Sequence, residues 1–512
     1  MKVYNKIICP YCFEKFNHDD VFFRAETCFN EDDVLEDYEI DMMEDGPQKE
    51  ETRYKNDLKR EFLIGEREEY TNYWSRFGGT TEQTRRRASS GSMTQFVENY
   101  KKPIISPKNP RVVKFDNDDG TGVKLDRDGF LSSVTDVFGG RSSSRVCPKC
   151  YNPLPHSYGK YPVKFISVIG ITGAGKTVYL SSLLDNMYDY VEKLGMSPLH
   201  ADSVNFFIEQ NKIQRDVVLP QGTLPERMSQ PLCYHLHYFH QGKGKSETST
   251  FVIYDIAGEN CVDIASVENF GQFILQSQGI IILQDPKQFK GIYGEAHEMA
   301  QSVLRTIKEI FVGGDDGYCS TPIALCISKS DRLIDDGMFD SKLVEMLNEP
   351  VKSSENRKGF CATDYNEISK ALDDFYRNQD PKTRTALKNS FDCFNYFAVA
   401  ALNCRLIESG ENSAISNEKI LMPAETPHPL RIEEPLFWLF NQFGFINSDI
   451  DIIDHAVVGK ISKLNERKQV LEREISGARS KKFLGFLGKK DVRKCEAELN
   501  IIEKEIQDLM NF

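Results

Sequence analysis

The chain has no apolar run of about 18 residues, the length a bilayer-crossing helix needs. Its opening residues, MKVYNKIICPYC, lack the apolar stretch and small-residue cleavage site of a secretory leader. A cytoplasmic protein is the expectation that follows. Basic charge is short as well: 64 lysines and arginines face 77 aspartates and glutamates, and a net charge of −13 argues against a surface built throughout to grip nucleic acid. No repeat recurs along the sequence. Disulfide spacing is also missing, because the 13 cysteines are odd in number and nine are scattered singly. The remaining four form two CxxC pairs.

With 512 residues there is room for two or three domains. Up to about residue 160 the sequence is polar and irregular apart from the cysteine pairs. From Asn30 to Glu51 eleven carboxylates accompany one lysine, the composition of a solvated, mobile segment. The spacing of Leu58, Phe62, Tyr70 and Trp74 predicts a helix between Tyr54 and Phe77, ahead of a linker around RRRASSGS. FDNDDGTGVKLDRDGF has a superficial likeness to a calcium loop. Counting back from Gly120 or Gly129 puts Phe115 or Lys124 at the first ligand position, so turns of a small β-hairpin are expected instead. From about 160 to 447 apolar runs (KFISVIG, PLCYHLHYF, TFVIYDIAG, GIIILQD, PIALCISKSD, CFNYFAVAAL) alternate with helical patterns. That alternation predicts an α/β fold, a mostly parallel sheet with helices on both faces.

Gly170, Gly175, Lys176 and Thr177 satisfy G-x-x-x-x-G-K-[ST] between a strand and a helix. Thr172, Gly173, Ala174 and Val178 complete the loop and the first helical turn. Backbone N–H groups there can curl around a phosphate, Lys176 adds a mobile charge to the β and γ oxygens, and the Thr177 hydroxyl can ligate Mg²⁺. Next, TFVIYDIAGEN ends a strand in Asp255 and continues to Gly258, matching D-x-x-G. A carboxylate so placed can hold Mg²⁺ through its water shell, and the Gly258 N–H can bond a γ-phosphate oxygen. CISKSD matches the guanine-reading [NT]KxD with Ser328 in the first place, Lys329 to cover the base and Asp331 to accept from the guanine N1–H and N2–H. FAVAAL is similar to the SA[KL] loop that offers a backbone N–H to the guanine oxygen, here from Ala401 or Leu402.

On these motifs, in this order, the segment from about 163 to 447 resembles a GTPase domain of the translation-factor-related (TRAFAC) class. DIAGE together with RIEEPLFWLF is similar to the double-GTPase families of bacterial conflict systems. The resemblance implies one strand antiparallel to its neighbours just before the D-x-x-G strand, and PLCYHLHYFHQGKGKSETSTFVIYD fits that hairpin. It also implies a catalytic set of Lys176, Thr177, Thr223 and Glu259, with Thr177, Thr223 and Asp255 around Mg²⁺. Arg215 or Arg227 would flank Thr223 as an internal arginine finger. Glu259 stands where many GTPases carry a water-orienting glutamine, so slow intrinsic turnover is expected.

Cys9 and Cys12 in ICPYC, and Cys147 and Cys150 in VCPKC, are the two C-P-x-C halves of a four-thiolate zinc ribbon. Their separation, 134 residues between Cys12 and Cys147, is unusual. Relative to an ordinary ribbon it amounts to about three doublings of loop length at about 0.6 kcal/mol each, against about 10–16 kcal/mol from structural zinc. One intramolecular Zn²⁺ is therefore expected. Zinc shared between chains and redox cysteines are the alternatives, and His18 and His156 are read as bystanders.

The tail repeats apolar residues at Val457, Ile461, Leu464, Leu471, Ile475 and Ala478, then at Val492, Cys495, Leu499, Ile502, Ile506 and Leu509. Steps of three and four predict two antiparallel coiled-coil arms. Between them Phe483, Leu484, Phe486 and Leu487 are rimmed by Arg479, Lys481, Lys482, Lys489 and Lys490. Such a tip suits an anionic bilayer, a partner protein or the protein's own GTPase domain. The expected organisation is a discontinuous zinc-ribbon module over 1–160 with an insertion at 13–146, a P-loop GTPase three-layer sandwich over 161–447, and a helical hairpin over 448–512. The expected function is a GTP-binding, GTP-hydrolysing switch acting on effector or regulatory proteins encoded nearby, in bacterial defence. A nucleotide-holding scaffold with little hydrolysis, and a P-loop ATPase, are the competing readings; homo-oligomerisation stays open and nucleic-acid binding is not expected.

Overall fold

The computed structural model describes residues 6–27, 29–63, 68–75, 104–106, 122–136, 138–171, 173–200, 202–220, 231–240, 245–261, 263–270, 272–289, 299–313, 317–349, 361–412, 419–446, 468, 471, 497–499 and 501–502. At its centre lies a sheet of seven strands: β1 (Val163–Gly170), β2 (Ser197–His200), β3 (Leu232–His240), β4 (Lys245–Ala257), β5 (Gly279–Gln284), β6 (Ile323–Ile327) and β7 (Phe394–Ala398). Their order across the sheet is β2-β3-β4-β1-β5-β6-β7. The five from β4 to β7 run parallel, whereas β2 and β3 pair antiparallel at one edge.

Parallel strands are covered on both faces, and the sequences comply: β5 and β6, GIIILQ and IALCI, are buried at every residue. Strand alternation then divides β1 between two cores. Phe165 and Ile169 join one, Ile166 and Val168 the other. The β3–β4 hairpin, with Leu232 opposite Ile253 and His240 opposite Lys245, is the antiparallel element the sequence led us to expect. Strand β2 was not legible, because SPLH is four residues long and holds a proline, which only an edge position tolerates.

One face carries α1 (Lys176–Asp185) and α4 (Glu434–Gln442); the other carries α2 (Met299–Val312) and most of α3 (Ala362–Gln379). Helix α4, the RIEEPLFWLF element, lies directly on the sheet, with Phe440 4.7 Å from Phe251 and Trp438 5.9 Å from Phe397 between ring centroids. Gly279 permits that approach: a Cβ there would sit 2.8 Å from Leu439 Cδ2 and 2.9 Å from Phe443 Cζ. Gly279→Ala is expected to lower stability by about 1–3 kcal/mol through overpacking, visible as a drop in Tm.

The N-terminal region is built from short strands. Ile7–Ile8 pairs with Lys15–Phe16, and Phe22–Arg24 pairs with both Ile104–Ile105 and Arg145–Val146. Val123–Leu125 and Leu131–Thr135 form the small hairpin expected in place of a calcium loop. Its turn is fixed by the Asp126 carboxylate, which accepts from the Asp128 and Phe130 N–H groups. The acidic stretch differs from expectation. Residues Asp37–Asp41 and, from Pro47, a helix running to Leu63 are regular, with most carboxylates in solvent. Composition missed this because the anchors are few: Ile40 and Leu58 are buried, and the Asn56 amide bonds both polar backbone groups of Leu35 at 2.7 Å. The paired tail helices, and the tip at Phe483, Leu484, Phe486 and Leu487, lie outside the described residues save for a few helical positions. Among the described residues no helix is long and apolar enough to cross a membrane.

Candidate functional site

Strand β1 ends in Gly170, and the chain turns through Gly173 and Gly175 into α1. Each glycine has its own reason. A Cβ on Gly170 would lie 2.6 Å from Lys176 Cβ, while Gly173 and Gly175 have φ of +80° and +71°, the left-handed region. Lys176 is the first residue of α1 and is buried, with Nζ 2.8 Å from Asp255 Oδ1 at the neighbouring strand's end. The Thr177 hydroxyl reaches the other carboxylate oxygen at 3.5 Å. Lysine, threonine and aspartate thus meet at the carboxyl edge of the sheet, beside a helix N-terminus whose N–H groups point toward the loop. Ala174 is buried and Val178 half-buried behind them.

The second half of the site comes from the ends of β5, β6 and β7. Ser328, just past β6, is buried; its N–H and hydroxyl both donate to the Gln284 carbonyl, at 2.9 and 3.1 Å. Lys329 takes a left-handed φ of +50° and caps the short helix Ser330–Asp335, which carries Asp331 at its second residue. Burial pushes the Asp331 carboxyl above the usual carboxylate range. The Lys329 ammonium lies 2.5 Å from the Gly173 carbonyl and 2.5 Å from Asp285 Oδ2. The Ser328–Asp331 loop is therefore clasped to the glycine loop. The Ser330 N–H donates to Val399 O, and the Ser182 hydroxyl of α1 to Ala401 O, so the loop bearing Ala401 and Leu402 packs beside α1 and the Ser330 turn.

Asp285 was missed in the sequence. It is buried, pairs with Lys329 and also accepts the Lys287 N–H at 2.8 Å. The signal was present in GIIILQD, a carboxylate at the end of an apolar strand, the same pattern that identified Asp255. Thr172, Thr223 and Arg227 lie outside the described residues. Gly258 and Glu259 open a single turn, Gly258–Cys261, directly after β4. Arg215 is exposed and pairs with its neighbour Asp216, Nε to Oδ2, at 3.2 Å.

The four spaced cysteines converge. The sulfurs of Cys9, Cys12, Cys147 and Cys150 all lie within 4.8 Å of one another, with Cys9–Cys150 at 3.7 Å and Cys12–Cys147 at 3.8 Å. Four thiolates at about 2.3 Å from one tetrahedral ion would be about 3.8 Å apart. The two knuckles repeat the same local geometry. Tyr11 N–H donates to Cys9 Sγ at 3.3 Å, and Lys149 N–H to Cys147 Sγ at 3.4 Å. In each, the aromatic residue after the second cysteine, Phe13 or Tyr151, is left-handed and donates its N–H to the carbonyl of the first cysteine. Soft donors in this geometry fit Zn²⁺. Burial pushes the Cys9 and Cys150 thiols up, a penalty that a cation among them would offset. Among the described residues no cysteine is in a disulfide. His18 and His156 are not among the grouped ligands.

A glycine loop between a parallel strand and a helix, a strand-end aspartate against the loop lysine, and a lysine-clasped aspartate loop beside them define a P-loop nucleotide-binding domain. Within that class, residues 164–371 match the Double-GTPase 2 family model, a match that covers less than half of the chain's length. The chain is also 22% identical over 195 residues to a Mycolicibacterium smegmatis protein described as a putative ESX-1 scaffolding and assembly protein, SaeC. That match covers 36% of this chain and 47% of the other, so the chain spans about half the length of the curated relative. A crystal structure of Sup35 complexed with GDP aligns with 47% of this chain and 38% of that one, at 12% identity. Its TM-score of 0.19 is too low for the likeness to carry any argument.

Proposed function

We propose that this protein binds GTP with Mg²⁺ at the carboxyl edge of the sheet and hydrolyses it slowly, as a switch acting on effector proteins. One observation carries the reading. The Lys329 ammonium touches the glycine loop at Gly173 while Asp331 follows two residues on, which supports reading the glycine loop as a phosphate cradle and Asp331 as the purine-selecting carboxylate beside it. A match to an ATP-binding P-loop alone would not require that carboxylate.

In this reading Lys176 carries its charge to the β and γ oxygens, and Asp331 accepts from the guanine N1–H and N2–H. Thr177, Asp255 and Thr223 would hold Mg²⁺, whose charge would offset that developing on the transferred phosphoryl group. The Gly258 N–H meets a γ-phosphate oxygen, and the turn it opens is the element that relaxes on hydrolysis. Glu259 brings a carboxylate where a neutral amide would polarise water without repulsion, which keeps turnover slow. The four cysteines hold one structural Zn²⁺.

The scaffold reading keeps one observation in its favour, the description of the SaeC relative as a scaffolding and assembly protein. Equilibrium retention of labelled GTP and ATP, followed in parallel with phosphate release, separates the two. Preferential GTP retention with slow release supports the switch. Retention without release supports the scaffold, and equal retention of ATP rejects the base assignment. Asp331→Asn reverses one hydrogen-bond partner at the purine edge. It is expected to move preference from GTP toward xanthosine triphosphate by about 1–3 kcal/mol, roughly five- to 150-fold, in competition binding.

A further inference from the structure

Three tyrosine hydroxyls, from three distant parts of the sequence, converge on the first cysteine knuckle. Tyr158 donates to Ile8 O at 2.7 Å, Tyr73 to Tyr11 O at 2.9 Å and Tyr254 to Pro10 O at 2.6 Å. Pro10 stands between the two metal-spaced cysteines of its knuckle. Tyr254 belongs to β4 and immediately precedes Asp255. Alternation along a strand sends adjacent side chains to opposite faces, so Tyr254 meets the knuckle while Asp255 meets Lys176 and Thr177.

The contact is broader than one hydrogen bond. Phe13, held left-handed after Cys12, puts its ring 6.4, 6.0 and 6.5 Å from those of Phe165, Tyr254 and Phe273. Those three rings stack, Phe165 on Tyr254 at 6.2 Å and Tyr254 on Phe273 at 4.7 Å. Cys261, which closes the turn after β4, is buried in the same core as Cys9, Cys147 and Cys150. The knuckle, the end of β4 and the turn behind it form one packed body.

We propose that Tyr254 is a positioning residue for Asp255: its hydroxyl on the Pro10 carbonyl lets the metal-closed knuckle fix the end of β4 against Lys176. Metal loading and nucleotide holding are then linked, and the linkage is reciprocal. Its nucleotide arm rests on the GTP reading given above; its metal arm does not.

Both arms use the full-length protein, with Tyr254→Phe removing only the hydroxyl. In the first, zinc loss to a chromogenic chelator is timed with and without GTP·Mg²⁺. The nucleotide is expected to slow loss about five-fold in the wild type, the worth of one hydrogen bond, and less than two-fold in Tyr254→Phe. A merely structural tyrosine would speed loss in both conditions and leave the ratio unchanged, which overturns the proposal. In the second, amide hydrogen exchange over residues 251–257 is compared before and after zinc stripping, with no nucleotide present. Stripping is expected to speed exchange about five-fold more in the wild type than in Tyr254→Phe. Equal acceleration overturns the proposal, as does purified protein carrying no zinc. Wild-type protein that retains no GTP rejects the nucleotide reading alone and leaves the second arm to decide.

Discussion

On the zinc reading, Cys147→Ser is expected to abolish metal binding and to destabilise the N-terminal module with it. A four-thiolate site contributes about 10–16 kcal/mol where folding depends on it, comparable to the whole of the about 5–15 kcal/mol that holds a typical domain together. Cys147 is fully buried and sits in the same core as Phe165, Ile169 and Tyr254 of the central sheet. The damage should therefore spread past the ribbon. Metal content below one zinc per chain, with a thermal transition lowered by tens of degrees or split in two, is the expected outcome. A variant that keeps both its zinc and its melting temperature would remove the ribbon from the structure's account.

Lys176→Ala is expected to cost about 2–5 kcal/mol of GTP affinity, a loss of thirty-fold or more by equilibrium binding. The lysine is buried against Asp255 Oδ1 at 2.8 Å, so alanine removes the cation and also strands a carboxylate beside incoming phosphates. The second effect is separable. Lys176→Ala with Asp255→Asn relieves the repulsion but restores no cation, so the double variant should regain part of the affinity and little of the phosphate release. Full affinity in Lys176→Ala would place the nucleotide elsewhere.

Much of this was legible because the motifs sit where strands end. Apolar runs such as GIIILQ and IALCI announce strands covered on both faces, and once those strands are parallel their carboxyl ends lie together, which gathers Lys176, Asp255 and the Ser328–Asp331 loop without further information. Asp285 went unread because an aspartate after a strand is common and only its partner, Lys329, gives it meaning. Strand β2 and the hairpin pairing Leu406–Asn412 with Lys419–Pro423 escaped because neither alternates cleanly; the hairpin bulges between Glu408 and Asn412. Cysteine spacing predicted the knuckles but not the hydroxyls of Tyr73, Tyr158 and Tyr254, since nothing in a tyrosine's neighbours along the chain names a carbonyl 62, 150 or 244 residues away.

The long separation of the two knuckles has a consequence for biogenesis. Cys147 and Cys150 leave the ribosome only after the whole preceding segment, at about 5–20 residues per second, so Cys9 and Cys12 wait roughly ten seconds or more as an open half-site. During that interval they are exposed to any thiol-seeking ion or oxidant in the cell. On the zinc reading the site cannot close before Cys150 emerges, and β1, which begins thirteen residues beyond it, follows directly, so the ribbon and the first strand of the sheet become available together.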